Sequence, residues 1–446
     1  MSIPAHRSLL IRHATILTMN DRLDVVEGSV AVRDGRIASV GADPDEPCAR
    51  TIDAGGAYLL PGFIQTHVHL CQTLFRGLAD DLPLLEWLRA RVWPLEAAHT
   101  PATLEASARL AAAELLCGGT TTVLSMETVH DTDAVFEAMG GTGMRAVIGK
   151  CLMDAGTDVP PRLRESTTAA IDESLALHAR WDGAADGRLR AAFAPRFAVS
   201  SSRALLEAVA DVSSRHHAIV HTHASEQRDE VEAVRRLSGG LGNIEYLADT
   251  GLASHRLCAA HCVWVDDREQ ALLAERHVNV LHCPGSNLKL GSGIAPVAEM
   301  RKRGIAVSLG ADGAACNNRL SMFDEMRLAA TLQAVRHVPG ALTARDALWM
   351  ATREGARALG MDDEIGSIEP GKLADLILVG RRRPGVAPDP DPWSTLVYAS
   401  TAADVQAVVV DGEVLVEDGR LRRLDADEIA ADARESARQL RHRAGL

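Results

Sequence analysis

Between Pro61 and about Gly360 the chain alternates short apolar runs with stretches long enough for amphipathic helices, and no other feature restricts the fold as tightly. Eight runs stand out: Phe63 to His69, Thr120 to Met126, Met144 to Met153, Leu189 to Pro195, Ala218 to His223, Leu257 to Val263, Val278 to Cys283 and Ile305 to Asp312. Segments such as TLEASARLAAAELLCGG, RALLEAVADVSSRH and LSMFDEMRLAATLQAV read as helices between them. Eight β/α units over about 300 residues predict a closed (β/α)8 barrel rather than an open doubly wound sheet.

Both ends of the chain read differently. GSVAVRDGRIASVG places Asp34-Gly35 between two alternating runs, and DVQAVVVDGEVLVEDGRL repeats the device at Asp411-Gly412. Asp-Gly in that position is a hairpin signal. The simplest arrangement pairs the termini into one small β-sandwich domain from residues 1–60 and 361–446, interrupted by a barrel over residues 61–360. The Pro-rich stretch at 384–392 is a loop within it.

Composition narrows the function. A net charge of -13 argues against a phosphate-tracking surface, so no nucleic-acid partner is expected. The eight cysteines are scattered, with no C-x-x-C pair, which disfavours a zinc ribbon or a disulfide framework. No leader-like segment or membrane-length apolar run is evident, so no membrane partner and a reducing cytoplasm are expected.

The first run ends in the sequence QTHVH, and strand side chains alternate, so His67 and His69 project the same way and can grip one ion. Ligating residues recur at the ends of later runs: His221 and His223, His261, His282, and Asp312. Barrel enzymes place their chemistry at this rim. Any one of these histidines is explained by burial in a core; several imidazoles and a carboxylate converging on one rim are costly unless an ion or substrate uses them. Neutral imidazole and carboxylate oxygen suit zinc or iron. Glu226, three residues past His223, can reach a bound substrate; a helix-capping role is its plain alternative. The fourth run carries no lysine and leads into Arg196 and Phe197.

The succession PGFIQTHVH, HTHASE, AAHCVW, HCPGSNLKLGSGIAPV and LGADGAACNNRLSMFDEMRLA, with GSIEPGKLADLILV near the end, resembles the amidohydrolase superfamily. More narrowly it is similar to the branch holding 5'-deoxyadenosine, methylthioadenosine and S-adenosylhomocysteine deaminases, guanine deaminases and triazine hydrolases. The resemblance implies His67, His69, His223 and Asp312 as metal ligands, with His261, Glu226 and Asp312 moving protons. Two-metal members bridge their ions with a lysine on the fourth strand; its absence implies one divalent ion, zinc before iron, and Lys150 on the third run is then no ligand. Relatives of this kind are often multimeric, so the resemblance implies a homo-oligomer.

The chemistry implied is hydrolytic deamination of a small heterocyclic substrate. A bound ion makes water acidic, Asp312 and His261 accept its proton, and Glu226 protonates the ring nitrogen beside the amino-bearing carbon. For substrate contacts the resemblance points two ways. Trp87 and Glu96 match positions that pack on a nucleoside and bind its ribose hydroxyls, which favours a 5'-modified adenosine such as 5'-deoxyadenosine. Gln72, Arg196 and Phe197 match a guanine-binding pattern, and His282 is either a substrate contact or a support. Guanine or aminotriazine deamination and triazine dechlorination are the alternatives, and Glu226 disfavours the last. A catalytically dead barrel serving as a binding protein is the reading from another class.

Overall fold

The computed structural model describes residues 8–44, 48–156 and 158–446. The reading that no leader is present rests partly on residues 1–7, outside the described residues.

Eight parallel strands form the barrel: Phe63–Val68, Thr120–Met126, Arg145–Leu152, Leu189–Pro195, Val220–Ala224, Leu257–His261, Asn279–His282 and Val307–Leu309. Each falls on one of the eight apolar runs, the fifth reaching one residue past it to Ala224. Every residue of the first three is buried, as expected where one face packs the barrel interior and the other meets helices. The ring closes between the first and eighth strands through a bridge pairing Val68 with Asp312, where the Asp312 N–H donates to the His67 carbonyl at 2.9 Å. Closure therefore sets two of the sequence-predicted ligands side by side.

Gly310 permits that approach. A Cβ there would lie 2.6 Å from the His67 carbonyl oxygen and 2.7 Å from its backbone nitrogen. Gly310→Ala is expected to push the eighth strand off the first and to weaken divalent-ion binding about 10- to 100-fold, as loss of support around a metal site does. Ion titration of the stripped protein measures it.

Helices Pro101–Cys117, Arg203–His216 and Met322–Arg336 begin where Thr100, Ser202 and Ser321 accept hydrogen bonds from the first turn. They cover the outside of the barrel. Among the described residues no helix is long and apolar enough to cross a membrane.

The termini build one nine-stranded sheet from strands on both sides of the barrel, including Leu9–Leu17, Val25–Arg33, Tyr58–Pro61, Leu376–Val379 and Val405–Val410. Its alternation is two-faced. Leu59, Leu376, Leu378 and Val409 join Ile11 and Val32 in a core inside the curled sheet, while Leu60, Ile377, Val379 and Val408 join the barrel's core. The Asp34-Gly35 and Asp411-Gly412 turns meet where the sheet curls on itself: Gly35 accepts from Ala374, whose carbonyl accepts from Gly412. Arg145 and Asp375, both buried, pair at 2.9 Å across the seam between barrel and sheet.

The sequence places the closing segment in the β domain, and the structure differs in ending it with a 19-residue helix, Ala426–Ala444. Its buried Ala433 and Leu440 pack in the cluster that holds Trp87, Trp93 and Leu95 beside the barrel mouth.

Candidate active site

At the C-terminal end of the barrel, side chains from strands one, five, six and eight converge. The ligating atoms of His67, His69, His223 and Asp312 all lie within 4.8 Å of one another. Asp312 Oδ1 stands 3.3 Å from His67 Nε2 and 3.2 Å from His69 Nε2, and His223 Nε2 is 3.3 Å from His69 Nε2.

Whether a cation fits is decided by the far side of each ring. His69 Nδ1 faces the Met126 carbonyl at 2.7 Å, and His223 Nδ1 faces the Arg196 carbonyl at 2.7 Å. A carbonyl only accepts, so both Nδ1 atoms carry the hydrogen and both Nε2 lone pairs point inward. His67 Nδ1 contacts His221 Nε2 at 2.6 Å, and His67 Nε2 has no hydrogen-bond partner. Lone pairs and a carboxylate aimed at one another inside a protein call for a positive charge between them. Three imidazoles and one carboxylate are the donors of a hydrolytic zinc or related site.

The electrostatics agree for two of the three imidazoles; burial pulls His69 down as well, but the Asp312 carboxylate holds it above the usual imidazole value. Burial pushes His67 down to about 4 and His223 well below the usual imidazole range, so both stay neutral. Burial alone would raise Asp312; the imidazoles of His67 and His69 instead hold it well below the ordinary carboxylate value, ionised. Ser286 Oγ donates to its Oδ2 at 2.6 Å, and the Gly313 N–H to its Oδ1 at 2.7 Å.

Two further titratable groups face this cluster. His261 Nδ1 contacts Asn287 Oδ1 at 2.8 Å, leaving its unpartnered Nε2 3.6 Å from Glu226 Oε2 and 3.9 Å from Asp312 Oδ2. Burial lifts Glu226 to about 7, and Ser292 Oγ holds its Oε1 at 3.1 Å. A carboxyl with that value is a proton donor near neutrality. Ser225, His261, Cys262 and Asp312 all have positive φ, backbone strain gathered at this rim as it is at functional sites.

A pocket opens on these groups, walled by Leu84, Trp87 and Leu88 from the segment after the first strand, Phe197 and Arg196 after the fourth, and Leu290 after the seventh. Trp87 and Phe197 are thus both on the wall of this pocket. Gln72 and Glu96 sit behind the wall. Arg196 grips Glu96 through two contacts, Nη1 to Oε2 at 2.6 Å and Nη2 to Oε1 at 3.2 Å, and Gln72 Nε2 adds a third at 2.9 Å. His282 is buried with neither ring nitrogen bonded and is not among the residues lining the pocket.

Arg196→Ala would strand the buried Glu96 carboxylate, and is expected to cost about 3–5 kcal/mol of stability. Denaturant unfolding checks it, and the double variant with Glu96→Gln should recover most of the loss.

Lys150 lies elsewhere, buried and paired with Glu165, with Glu173 at 3.5 Å. Its ammonium neutralises the second acidic group of the described residues, His130 with Glu165 and Glu173. Sequence reasoning missed the supporting tier. His221 falls among the ligating residues at the run ends with nothing in the sequence to mark it as a support for His67, and Ser286, Asn287 and Ser292 lie in HCPGSNLKLGSG without a signal that they face the site.

Residues 58–415 match the amidohydrolase family. A 5'-deoxyadenosine deaminase of Methanothermobacter thermautotrophicus is 42% identical over 98% of this chain and 99% of its own. A 5-methylthioadenosine/S-adenosylhomocysteine deaminase of Symbiobacterium thermophilum is also 42% identical, covering 97% and 99%. Among solved structures, an adenosine deaminase from Xanthomonas campestris with bound zinc superposes with a TM-score of 0.91 at 35% identity, over 97% of this chain and 98% of that one. A zinc-bound atrazine chlorohydrolase from Arthrobacter aurescens gives 0.90 at 28% identity, over 96% and 100%.

Proposed function

This chain belongs to the amidohydrolase family, and from that premise we propose that it is a metal-dependent deaminase releasing ammonia from an amino-substituted purine-type ring, with a 5'-modified adenosine such as 5'-deoxyadenosine as substrate. The observation that carries the reading is Glu226: a buried carboxyl lifted to about 7, on the pocket wall beside His261 and Asp312. Such a carboxyl can supply the proton that the ring nitrogen must take before the amino-bearing carbon accepts water.

We assign His67, His69, His223 and Asp312 as the ligands of one divalent ion, with zinc favoured by the zinc-bound relatives. When bound, the ion supplies Lewis acidity that makes the attacking water acidic near neutral pH. Asp312 and His261 take the proton from that water, His261 at its free Nε2. Glu226 gives its proton to the ring nitrogen next to the amino-bearing carbon, which makes that carbon electrophilic. The water oxygen forms the C–O bond and its two protons pass to His261 and Asp312; one leaves with the amine as ammonia when the C–N bond breaks, and the other returns to Glu226, whose own proton stays on the ring nitrogen of the product. Asn287 and Ser292 hold His261 and Glu226 in place for both transfers.

Trp87, Phe197 and Leu290 give the pocket flat apolar walls suited to a heterocycle. One observation favours a second reading: both Glu96 oxygens are engaged by Arg196 and Gln72, and Arg196 is the member of that trio on the pocket wall. A guanidinium that borders the pocket reads a carbonyl on a base, as on guanine, where a free carboxylate would read a ribose diol. Ammonia release measured against 5'-deoxyadenosine, guanine and an aminotriazine, with chloride release from a chlorotriazine beside it, separates the readings. The adenosine reading expects the highest kcat/KM on 5'-deoxyadenosine; preference for guanine transfers the assignment to the base carbonyl, and turnover of chlorotriazines alone overturns deamination.

A further inference from the structure

The opposite end of the barrel carries a second, larger feature. A cleft of about 620 Å³ opens at the N-terminal ends of the strands, floored by apolar residues such as Ala191 and Ile219 around the start of the fourth and fifth strands and Ile305 before the eighth. That is within the range of sites for nucleotide-sized ligands. In a chain with a net charge of -13, its walls hold five of the 17 histidines, His178, His216, His217, His255 and His277, three arginines, and a single carboxylate, Asp182.

The arginines are not equivalent. Arg190 pairs with Glu364 at 2.9 Å and Arg357 with Glu354 at 3.2 Å. Arg256 donates from Nε to Ser213 Oγ at 3.2 Å and stands 3.5 Å from His255 Nε2; among the described residues no carboxylate pairs with it. Asp182 is 3.9 Å from His178, whose ring lies 5.1 Å from that of His216.

Helix ends account for four of the five imidazoles taken singly, and His255 lies in the turn before the sixth strand. His178 and His216 close the helices Thr167–Trp181 and Arg203–His216, where a cation offsets the carbonyl end of the helix. Helix ends do not account for a void between them. A transition metal is not the occupant the geometry favours either, because no three ligating atoms of this cleft come within 4.8 Å of one another among the described residues. An unpaired guanidinium with imidazole donors on the rim, above an apolar floor, matches an anionic head on an apolar or planar body.

We propose that this cleft binds a small organic phosphate, with Arg256 and the histidines His216, His255 and His277 on the phosphate and the apolar floor under its body. The ligand sits at the far end of the strands from Glu226 and does not compete with the deamination substrate.

Uridine 5'-monophosphate is a suitable probe, since its base carries no ring amine to hydrolyse. Calorimetric titration of the metal-loaded full chain is expected to show one site, with uridine binding at least about tenfold more weakly and inorganic phosphate competing. The triple variant His216→Gln, His255→Gln, His277→Gln and, separately, Arg256→Gln should each weaken the monophosphate at least about tenfold while leaving the deamination rate unchanged. The triple variant touches only exposed residues, so it keeps the test decisive if Arg256→Gln disturbs Ser213. Glu226→Gln should leave monophosphate binding intact. Equal affinity for uridine and its monophosphate, unaltered binding by the triple variant, or a second zinc equivalent bound here in place of the phosphate would each overturn the proposal.

Discussion

Glu226→Gln is expected to lower kcat for ammonia release by about 100- to 10,000-fold, the contribution of a positioned general acid, while folding and ion binding persist. Glutamine keeps the shape and the Ser292 contact but cannot give up a proton. The pH dependence follows from the same burial. In the protonated form Glu226 is the donor, so kcat/KM should fall as pH rises through a midpoint at or below about 7, the ion's positive charge drawing the value down from where burial puts it. In Glu226→Gln that limb should vanish from the residual activity. Stability moves with the same sign: between the ordinary 4.5 and about 7 the folded chain holds a proton that the unfolded chain has released, so this group's contribution to stability declines as pH rises through that window. Rate profiles and chemical denaturation on the two proteins measure both. A Glu226→Gln enzyme with unchanged kcat would remove the acid from the mechanism.

What was readable before the structure divides along one line. Periodicity survives in one dimension, so eight apolar runs, the two Asp-Gly hairpins and the shared orientation of His67 and His69 could be read directly. The cluster of His67, His69, His223 and Asp312 also has a legible part, because each falls at the end of a run and barrel topology brings run ends together. Partners chosen by tertiary placement carry no such mark. Glu96 and Arg196 are 100 residues apart, and each had a plausible separate role as a ribose or base contact. Only folding reveals that they answer each other. Asn287 beneath His261 and Ser286 beside Asp312 are likewise ordinary polar residues until the seventh strand delivers them. The helix Ala426–Ala444 shows the remaining limit: it is polar over much of its surface, and its few buried residues gain meaning from the pocket-side cluster they pack against.

Stripping the chain with a strong chelator is expected to abolish hydrolysis, and adding back zinc to restore it. Without a cation the inward lone pairs of His69 and His223 face each other at 3.3 Å beside an ionised Asp312, an arrangement the fold tolerates only by local rearrangement. Binding to the folded chain alone stabilises it by about 4 kcal/mol at a thousandfold excess of free ion over Kd, so the stripped protein should melt several degrees lower and recover on reloading. Asp312→Asn separates the ion from the scaffold. Asparagine keeps the size of the side chain but removes the charge that holds the cluster together, so this variant should bind less than one ion per chain, resemble the stripped protein in melting, and stay inactive at zinc concentrations that restore the wild type. Elemental analysis beside the melting curves distinguishes the two losses. If the stripped chain deaminated at the original rate, three imidazoles and a carboxylate within 4.8 Å would need another explanation, and the assignment of every ligand would fall with it.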